Sequence, residues 1–584
     1  MFFRLAIPLA IISLTLPFSP SFVIAGPVQN PSLKLPSDAH IHRQAVQDIF
    51  TDSYAAYKKY AFGHDDLRPV NRSFIDGRNG WGASIVDALS TMKIMGLDDI
   101  FNEGVEFSSK IDFNVSHTSD TVVVFETTIR YLAGLLSAYE LSDQKFPALL
   151  QKAKEVADKM AFAWVPGTSP VPFINIDFNT STAIKMPSMI SQAGTLSLEW
   201  FTLTKHTGND TYCRLGAGSA GHIAEQPAPL PGLPAQGIDP STGNPIGAYV
   251  SWGSGSDSYF EYLIKYARLT NTDDPFWADQ WALAVDTSIK KLLRTSTVGN
   301  HLYLADQDDD GRIRHIGSHL GCFAAGNWLM GSSPYDSPAS SAMSTYKLIE
   351  YTGGRLLNNQ TIVDIGLKLN DACWNTYAST ATGIGPEIFA YISPEPNGTF
   401  TGAPHPPTPH DLHFYSQHGF YIFPNASYYY LRPEVLESNF YAWRVTGSQK
   451  YLDRAVSAIA SFRRSLKVGK GGVGYAGIED VDDGRGTHGG FINDMESFWF
   501  AEVLKYLYLT FDDPNHISLD EYVFNTEAHP FKAPPAKASY GSGRIIQPST
   551  APFKTQSGEL PDMSYAPALP QQLKETLGRN NSNT

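Results

Sequence analysis

Val435-Leu-Glu-Ser-Asn-Phe-Tyr-Ala-Trp-Arg-Val-Thr-Gly-Ser448 carries apolar residues at helical spacing as far as Val445 and then stops at a glycine. A second amphipathic stretch, Leu452 to Leu466, follows within a few residues. Glycine just past a helix end is the usual left-handed cap, so Arg444-Val-Thr-Gly-Ser448 reads as the joint of a helical hairpin. Working outward, the same punctuation recurs. Lys205-His-Thr-Gly-Asn-Asp210, Arg268-Leu-Thr-Asn-Thr-Asp273 and Glu350-Tyr-Thr-Gly-Gly354 each close one helical pattern and precede another. Further helical patterns run over Gln44 to Ala61, Phe125 to Tyr139, Leu196 to Thr204, Ser258 to Leu269, Ala339 to Tyr351 and Met495 to Leu509. Strand-like alternation is confined to short pieces such as Gly472 to Ile478. Degenerate hairpins repeated over this length, with no breaker-rich linker between them, imply an all-α toroid or solenoid instead of a row of domains.

Composition agrees. Of 584 residues, 42% are apolar and 17% charged, which suits a globular chain with a large core. The balance of 44 Lys+Arg against 58 Asp+Glu gives a net charge of −14, and no dense basic stretch interrupts it. A nucleic-acid partner is therefore not expected, because tracking phosphates needs a basic face. Two regions depart from the helical pattern. Gln226 to Pro245 is rich in Pro and Gly and reads as a long surface loop, and residues 532–584 read as a Pro/Ser/Gly-rich tail, extended or disordered. The functional core is expected within residues 40–531.

At the N-terminus, Arg4 precedes the apolar run Leu5 to Leu16, and Val23-Ile-Ala-Gly26 offers the small residues of a cleavage site. Residues 1–25 are read as a cleaved signal peptide, since the apolar stretch is shorter than the roughly twenty residues that span a bilayer. No other segment is a membrane candidate. Sequons at Asn71, Asn114, Asn179, Asn209, Asn359, Asn397, Asn425 and Asn580 suit a glycoprotein of the secretory pathway, either secreted or held in the Golgi or ER lumen. The cysteines are Cys213, Cys322 and Cys373; in an oxidising compartment they make one pair and one leftover, with three pairings open. Their wide spacing argues against a structural zinc site.

Carboxylates embedded in apolar helices are the candidates for chemistry, since a partly buried one requires explanation. Glu126 stands one helical turn before Arg130; Asp257 and Glu261 are one turn apart; Glu434 and Glu437 share the first turns after Pro433, where the helix dipole favours an anion. Phe498 and Glu502 share a face, with Glu496 pointing elsewhere if the helix is regular. Several isolated carboxylates delivered by different helices to one axis suit glycoside hydrolysis, which needs an acid for the leaving oxygen and a base or nucleophile on the other face. Asp306-Gln-Asp-Asp-Asp-Gly311 imitates the start of an EF-hand loop, but its twelfth position is Gly317 where a bidentate Glu belongs, so a solvated turn is expected.

Trp81-Gly-Ala-Ser-Ile-Val-Asp-Ala-Leu89, Val124-Phe-Glu-Thr-Thr-Ile-Arg130, Gly255-Ser-Asp-Ser-Tyr-Phe-Glu261, His319-Leu-Gly-Cys-Phe323, Tyr430-Leu-Arg-Pro-Glu-Val-Leu-Glu-Ser438, Asp494-Met-Glu-Ser-Phe498 and Val523-Phe-Asn-Thr-Glu-Ala-His-Pro530 resemble, in order, the blocks of the class I α-1,2-mannosidases, glycoside hydrolase family 47. The resemblance implies an (α/α)7 barrel of helical hairpins with short β-hairpins. It also implies a calcium-dependent, inverting exo-hydrolase of terminal α-1,2-linked mannose on high-mannose N-glycans, expected as a monomer. Carried over block by block, Glu126 resembles the proton donor, acting through a water. Glu434 resembles the general base, with Asp257 the second candidate. Thr526 matches the calcium-binding threonine, and Glu199, Glu437, Glu502 and Glu527 would orient the waters around the ion. Arg130, His319 and Phe498 match positions lining the mannose pocket, and Cys322 and Cys373 resemble the family's disulfide. Ser90 departs from the Asp-x-Leu-Asp usual in the first block, and Gly255 resembles the broad-specificity secreted fungal type. A glycan-recognition protein on the same barrel, without turnover, is the competing expectation.

Overall fold

The structure is a computed structural model that describes residues 28–561 apart from 168–170, 336–345, 351–354, 361, 396–397, 485–489, 538–539 and 543–544. The proposed signal peptide, most of the last thirty residues and the sequons at Asn397 and Asn580 lie outside the described residues.

Helices dominate and alternate between two rings. In chain order the ring helices are α1 (Ala39–Tyr60), α2 (Ala83–Ile94), α3 (Asp98–Ser108), α4 (Val124–Glu126, a π-helical stretch Thr127–Leu132, and Ala133–Leu141), α5 (Pro147–Met160), α6 (Ser197–Thr207), α7 (Asp210–Glu225), α8 (Asp257–Thr270), α9 (Phe276–Lys291), α10 (Phe323–Tyr335), α11 (Ile362–Ala378), α12 (Glu434–Thr446), α13 (Gln449–Ser465) and α14 (a π-helical stretch Trp499–Val503 and Leu504–Thr510), with the shorter helices Ile190–Gly194 and Pro409–His418 in the connections. The even-numbered helices form the inner ring: α2 packs on α4, α4 on α6, α6 on α8, α8 on α10, α10 on α12, α12 on α14, and α14 closes the circle on α2. Each has an outer partner next to it in sequence, save that α1 backs α14, so the first and last helices join the ends of the ring. Among the described residues this closes the toroid that the repeated hairpin joints imply, as the (α/α)7 barrel expected from the family resemblance.

Burial follows the two rings. Along α8 every residue from Ser258 to Leu269 is buried, whereas the outer α13 buries one stripe, including Tyr451, Leu452, Ala455, Ile459 and Phe462. An inner helix touches neighbours on several sides, and an outer helix keeps a wet face. Close approach within the inner ring requires glycine at Gly134, where a Cβ would lie 2.7 Å from the Val86 carbonyl oxygen. Three hairpin joints turn as their sequences predict: Gly208, Asn271 and Gly447 follow α6, α8 and α12 in the left-handed conformation, with φ of 70°, 49° and 71°.

Two readings are corrected. Ala339 to Tyr351 is not a helix over its described part: Tyr346–Glu350 is a strand paired antiparallel with Arg355–Gln360. Helical spacing of apolar residues in so short a run does not separate helix from strand. Gln226 to Pro245 is more than a surface loop. Gly237–Asp239 pairs with Asn244–Ile246 and with Ser188–Met189, and Leu233, Ala235 and Ile238 are buried.

The remaining strands are short. Tyr522–Phe524 and Pro530–Lys532 form a hairpin that packs on α8 and α4. Ile316–Ser318, Ile388–Ala390 and Tyr421–Ile422 form a three-stranded sheet beside the start of α10. Cys322 and Cys373 are joined by a disulfide that ties the start of α10 to α11. Cys213 is a half-buried free thiol 3.3 Å from the Tyr266 hydroxyl. The Asp-rich turn closes the strands Asp306–Gln307 and Ile313–Arg314, and the Asp308 carboxylate is spent on the Asp310 and Arg312 N–H groups and the Arg312 guanidinium.

Candidate active site

A cavity of about 200 Å³ is lined by Glu126 and Arg130 from α4, Asp257 from α8, Glu434 from α12, Phe498 and Glu502 at the start of α14, and Thr526 and Glu527 from the turn of the 522–532 hairpin. These side chains come from segments spread over four hundred residues. Both π-helical stretches, in α4 and α14, lie at this site, and Arg130 and Glu502 sit within them. The extra residue per turn in such a stretch re-aims side chains and is a frequent feature of functional sites.

Glu434 opens α12 directly after Pro433. Its Oε2 lies 2.8 Å from His319 Nδ1, while His319 Nε2 lies 2.8 Å from the Tyr377 hydroxyl. A carboxylate only accepts, so the tautomer that satisfies both contacts carries its proton on Nδ1 and accepts from Tyr377 at Nε2. Burial alone would raise the Glu434 pKa, but the bond from His319 and the nearby Arg432 charge hold it below the ordinary value. Glu434 is therefore an anion placed to accept a proton. Leu431 has a φ of 59°, a strained conformation for a branched side chain, three residues before it.

Asp257 opens α8, and the Ser258 N–H donates to it at 2.8 Å. Burial, with the charges of Glu261 and Glu434, pushes its pKa up to about 7. On the other side, Arg130 Nε donates to Glu126 Oε2 at 2.8 Å and Arg78 Nε lies 3.9 Å away. Burial opposes ionisation of Glu126, yet these two guanidinium groups hold its pKa below the ordinary value. Arg130 also binds Glu527, and its guanidinium carbon sits 5.5 Å from the Phe498 ring centre, so Phe498 forms an apolar wall against the cation.

Around Thr526 the carboxylates outnumber the charges that could pair with them. Burial, and after it the charges of neighbouring carboxylates, push Glu437, Glu502 and Glu527 well above the ordinary carboxylate range. Burial also raises Glu199 to about 7; its Oε1 accepts from Tyr262 and Asn525, and its Oε2 has no hydrogen-bond partner. Among the described residues, no three Asp, Glu, His or Cys side chains stand together as direct ligands of one ion. Thr526, half-buried with its N–H bonded to the Tyr262 hydroxyl at 3.2 Å, is the neutral oxygen donor in this acidic surround. An orphaned buried carboxylate oxygen and buried acids that hold their protons without a nearby cation fit a hard cation held by Thr526 and, through water, by the acids.

The candidate residues thus fall into two layers. Glu126, Arg130, Asp257, Glu434, Phe498, Glu502, Thr526 and Glu527 line the cavity, whereas His319 and Glu199 stand behind it, bonded to Glu434 and to Asn525 and Tyr262, and Glu437 lies outside the lining, where the Tyr506 hydroxyl donates to it. Ser90 is buried, and its hydroxyl lies 3.0 Å from His529 Nδ1, with Asp87 at 3.2 Å from His529 Nε2. Sequence reasoning missed Glu387, which receives Arg432 Nε on both oxygens at 2.8 Å in the cavity wall. It also missed Arg78, which binds Asp66 and Glu496 behind Glu126. Arg432 stands inside a recognisable block; Glu387, in Gly385-Pro-Glu387, bears no local signal.

Seven hairpins closed around a cavity lined by buried carboxylates from several inner helices, with arginines paired to them, make the architecture of an α/α-barrel glycosidase. Residues 49–533 match the model of glycosyl hydrolase family 47. A probable mannosyl-oligosaccharide alpha-1,2-mannosidase 1B of Aspergillus clavatus is 36% identical over 547 residues, covering 88% of this chain and 99% of the relative. The mannosyl-oligosaccharide alpha-1,2-mannosidase 1B of Emericella nidulans is also 36% identical, over 88% of this chain and 95% of the relative. The solved alpha-1,2-mannosidase from Trichoderma reesei superposes with a TM-score of 0.75 at 33% identity, over 85% of this chain and 99% of that one. The chain belongs to glycosyl hydrolase family 47.

Proposed function

We propose that this protein is a mannosyl-oligosaccharide 1,2-α-mannosidase that removes terminal α-1,2-linked mannose from high-mannose N-glycans, with inversion and with Ca²⁺ bound at Thr526. One observation carries the reading: Glu434, held as an anion by His319, shares a small cavity with the Glu126–Arg130 pair and Thr526. Glu434 takes the proton of the attacking water. Its depressed pKa, set beside Asp257 at about 7, favours Glu434 as the base, because environments that push two carboxylates apart sort their roles. Glu126 supplies the leaving oxygen with a proton through an ordered water. A sugar that displaces solvent from the cavity raises the proton affinity of this anion, which is the condition for that role. Arg130 and Phe498 hold the ring. Calcium, when bound by the Thr526 carbonyl and hydroxyl oxygens and by waters that Glu199, Glu437, Glu502 and Glu527 orient, supplies a hard centre for sugar hydroxyls.

The leader-like N-terminus and the sequons support a place in the secretory pathway, either secreted or in the Golgi or ER lumen. Among the described residues no helix is long and apolar enough to cross a membrane, and Asn71, Asn114, Asn179, Asn209 and Asn425 are exposed. Incubating purified protein with α-1,2-mannobiose and with a nine-mannose glycan in calcium, while following the anomer first released by NMR, tests the reading. Release of β-mannose is expected. No release would favour the recognition-only alternative, and initial α-mannose would overturn inversion.

A further inference from the structure

The family match stops at residue 533, but the chain stays on the barrel. The Pro534 carbonyl accepts from Arg268 Nη1 at 2.7 Å, the Tyr540 hydroxyl donates to Asn271 Oδ1 at 2.6 Å, and the Ser542 N–H donates to Asp279 Oδ1 at 2.8 Å. Farther on, the Thr555 hydroxyl donates to the Gly247 carbonyl at 2.7 Å and Gln556 Nε2 to Asp239 Oδ2 at 2.8 Å. These contacts lay residues 555–561 as a strap over the strands at 237–246. Gly237 is shaped to receive it, since a Cβ there would come 2.5 Å from Leu560 Cδ2.

Under the strap lies a chamber of about 670 Å³, within the size range of sites that take whole small ligands. It adjoins the catalytic cavity: Met189, Ser254, Ser318 and Ile388 line both. Its walls mix aromatic surface with polar groups already locked together. The Tyr249 hydroxyl donates to Asp306 at 2.6 Å and accepts from Arg314 at 2.9 Å, and Ser251 donates to the other Asp306 oxygen at 2.7 Å. Asp306 and Arg314 thus offset each other, and Asp309 is engaged by the Ala248 N–H. Arg314, the one cation lining the chamber among the described residues, is already bound by Tyr249, while Asp306, Asp309 and Glu559 are acidic, so a chamber with rings and fixed hydroxyl partners fits a neutral polyhydroxylated chain better than an anionic ligand.

We propose that the strap at residues 555–561, outside the family domain, is a specificity-determining wall of this chamber, which takes the mannose residues beyond the first on the leaving-group side of the scissile bond. The identity of the ligand rests on the mannosidase reading above. Affinity is measured by calorimetry on full-length Glu126→Gln protein, with α-1,2-mannobiose and a nine-mannose oligosaccharide as titrants, and then with Leu560→Asp or Tyr249→Phe added. Both additions should weaken the nine-mannose ligand at least fivefold while changing mannobiose less than twofold. Equal weakening of the two ligands, an unchanged nine-mannose affinity, or no nine-mannose binding by the starting protein would overturn the proposal. Weakening by Tyr249→Phe alone would overturn the part given to the strap. Failure of the mannosidase reading shows separately, as absence of mannose release by the unsubstituted protein.

Discussion

His319 Nδ1 lies 2.8 Å from Glu434 Oε2, and this contact joins a residue before the barrel's fifth inner helix to the first residue of its sixth. The imidazole is buried and the carboxylate faces the cavity, so the pair fixes the orientation and the charge of Glu434 together.

Glu434→Gln should lower kcat by about 10²- to 10⁴-fold, the usual worth of a general base. His319→Ala keeps the carboxylate and should cost less. It removes a bond that holds the Glu434 pKa down, so the carboxylate protonates at higher pH and the acid limb of kcat/KM moves upward. A pH profile whose acid limb stays in place would separate His319 from the base.

Glu126→Gln should cut turnover by about 10²- to 10⁴-fold while an unreactive mannose analogue binds nearly as before. Calorimetry beside steady-state kinetics distinguishes the two effects. Turnover close to that of the parent protein would remove Glu126 as the acid.

Calcium removal should lower the melting temperature as well as the rate, because an ion bound only to the native state stabilises it by mass action. The calcium-dependent increment should grow from pH 5 to pH 7. Burial raises Glu199 to about 7, so the native state holds this proton where the unfolded chain has lost it. Stability from the protonated form is present below the unfolded value of about 4.3 and is lost as pH rises toward 7, where the cation compensates. Scanning calorimetry with EDTA and with calcium at both pH values checks this, and an increment independent of pH would count against the ion beside these acids.

Gly134→Val should destabilise the barrel by about 1–3 kcal/mol, the range for overpacking a tight contact, because the new side chain meets the Val86 carbonyl of α2. Urea denaturation measures the loss. An unchanged midpoint would mean that α2 and α4 separate without cost.

The hairpin joints were legible because each is local. Gly208, Asn271 and Gly447 follow helices and take up left-handed φ, as their neighbours in sequence predict. Ala339 to Tyr351 failed because the same apolar spacing serves a strand, as Tyr346–Glu350 does in pairing with Arg355–Gln360. At the site, carboxylates beginning a helix stood out, as Asp257 and Glu434 do, and the family blocks added Thr526. Glu387 was invisible, since its meaning comes from Arg432, forty-five residues away. The π-helical turns that aim Arg130 and Glu502 were also hidden, because the residues read as regular helix.

By itself the sequence determined the helical hairpins, the family and most of the acids at the centre, since helix periodicity and capping are short-range and the blocks are contiguous. Only the tertiary structure decided that α14 closes on α2, that the His319 bond and the Arg432 charge keep Glu434 anionic while burial raises Asp257, and that the tail returns over a second chamber. Those depend on which groups exclude water from which others. Burial and through-space charge arise from segments hundreds of residues apart and leave no mark in any one of them.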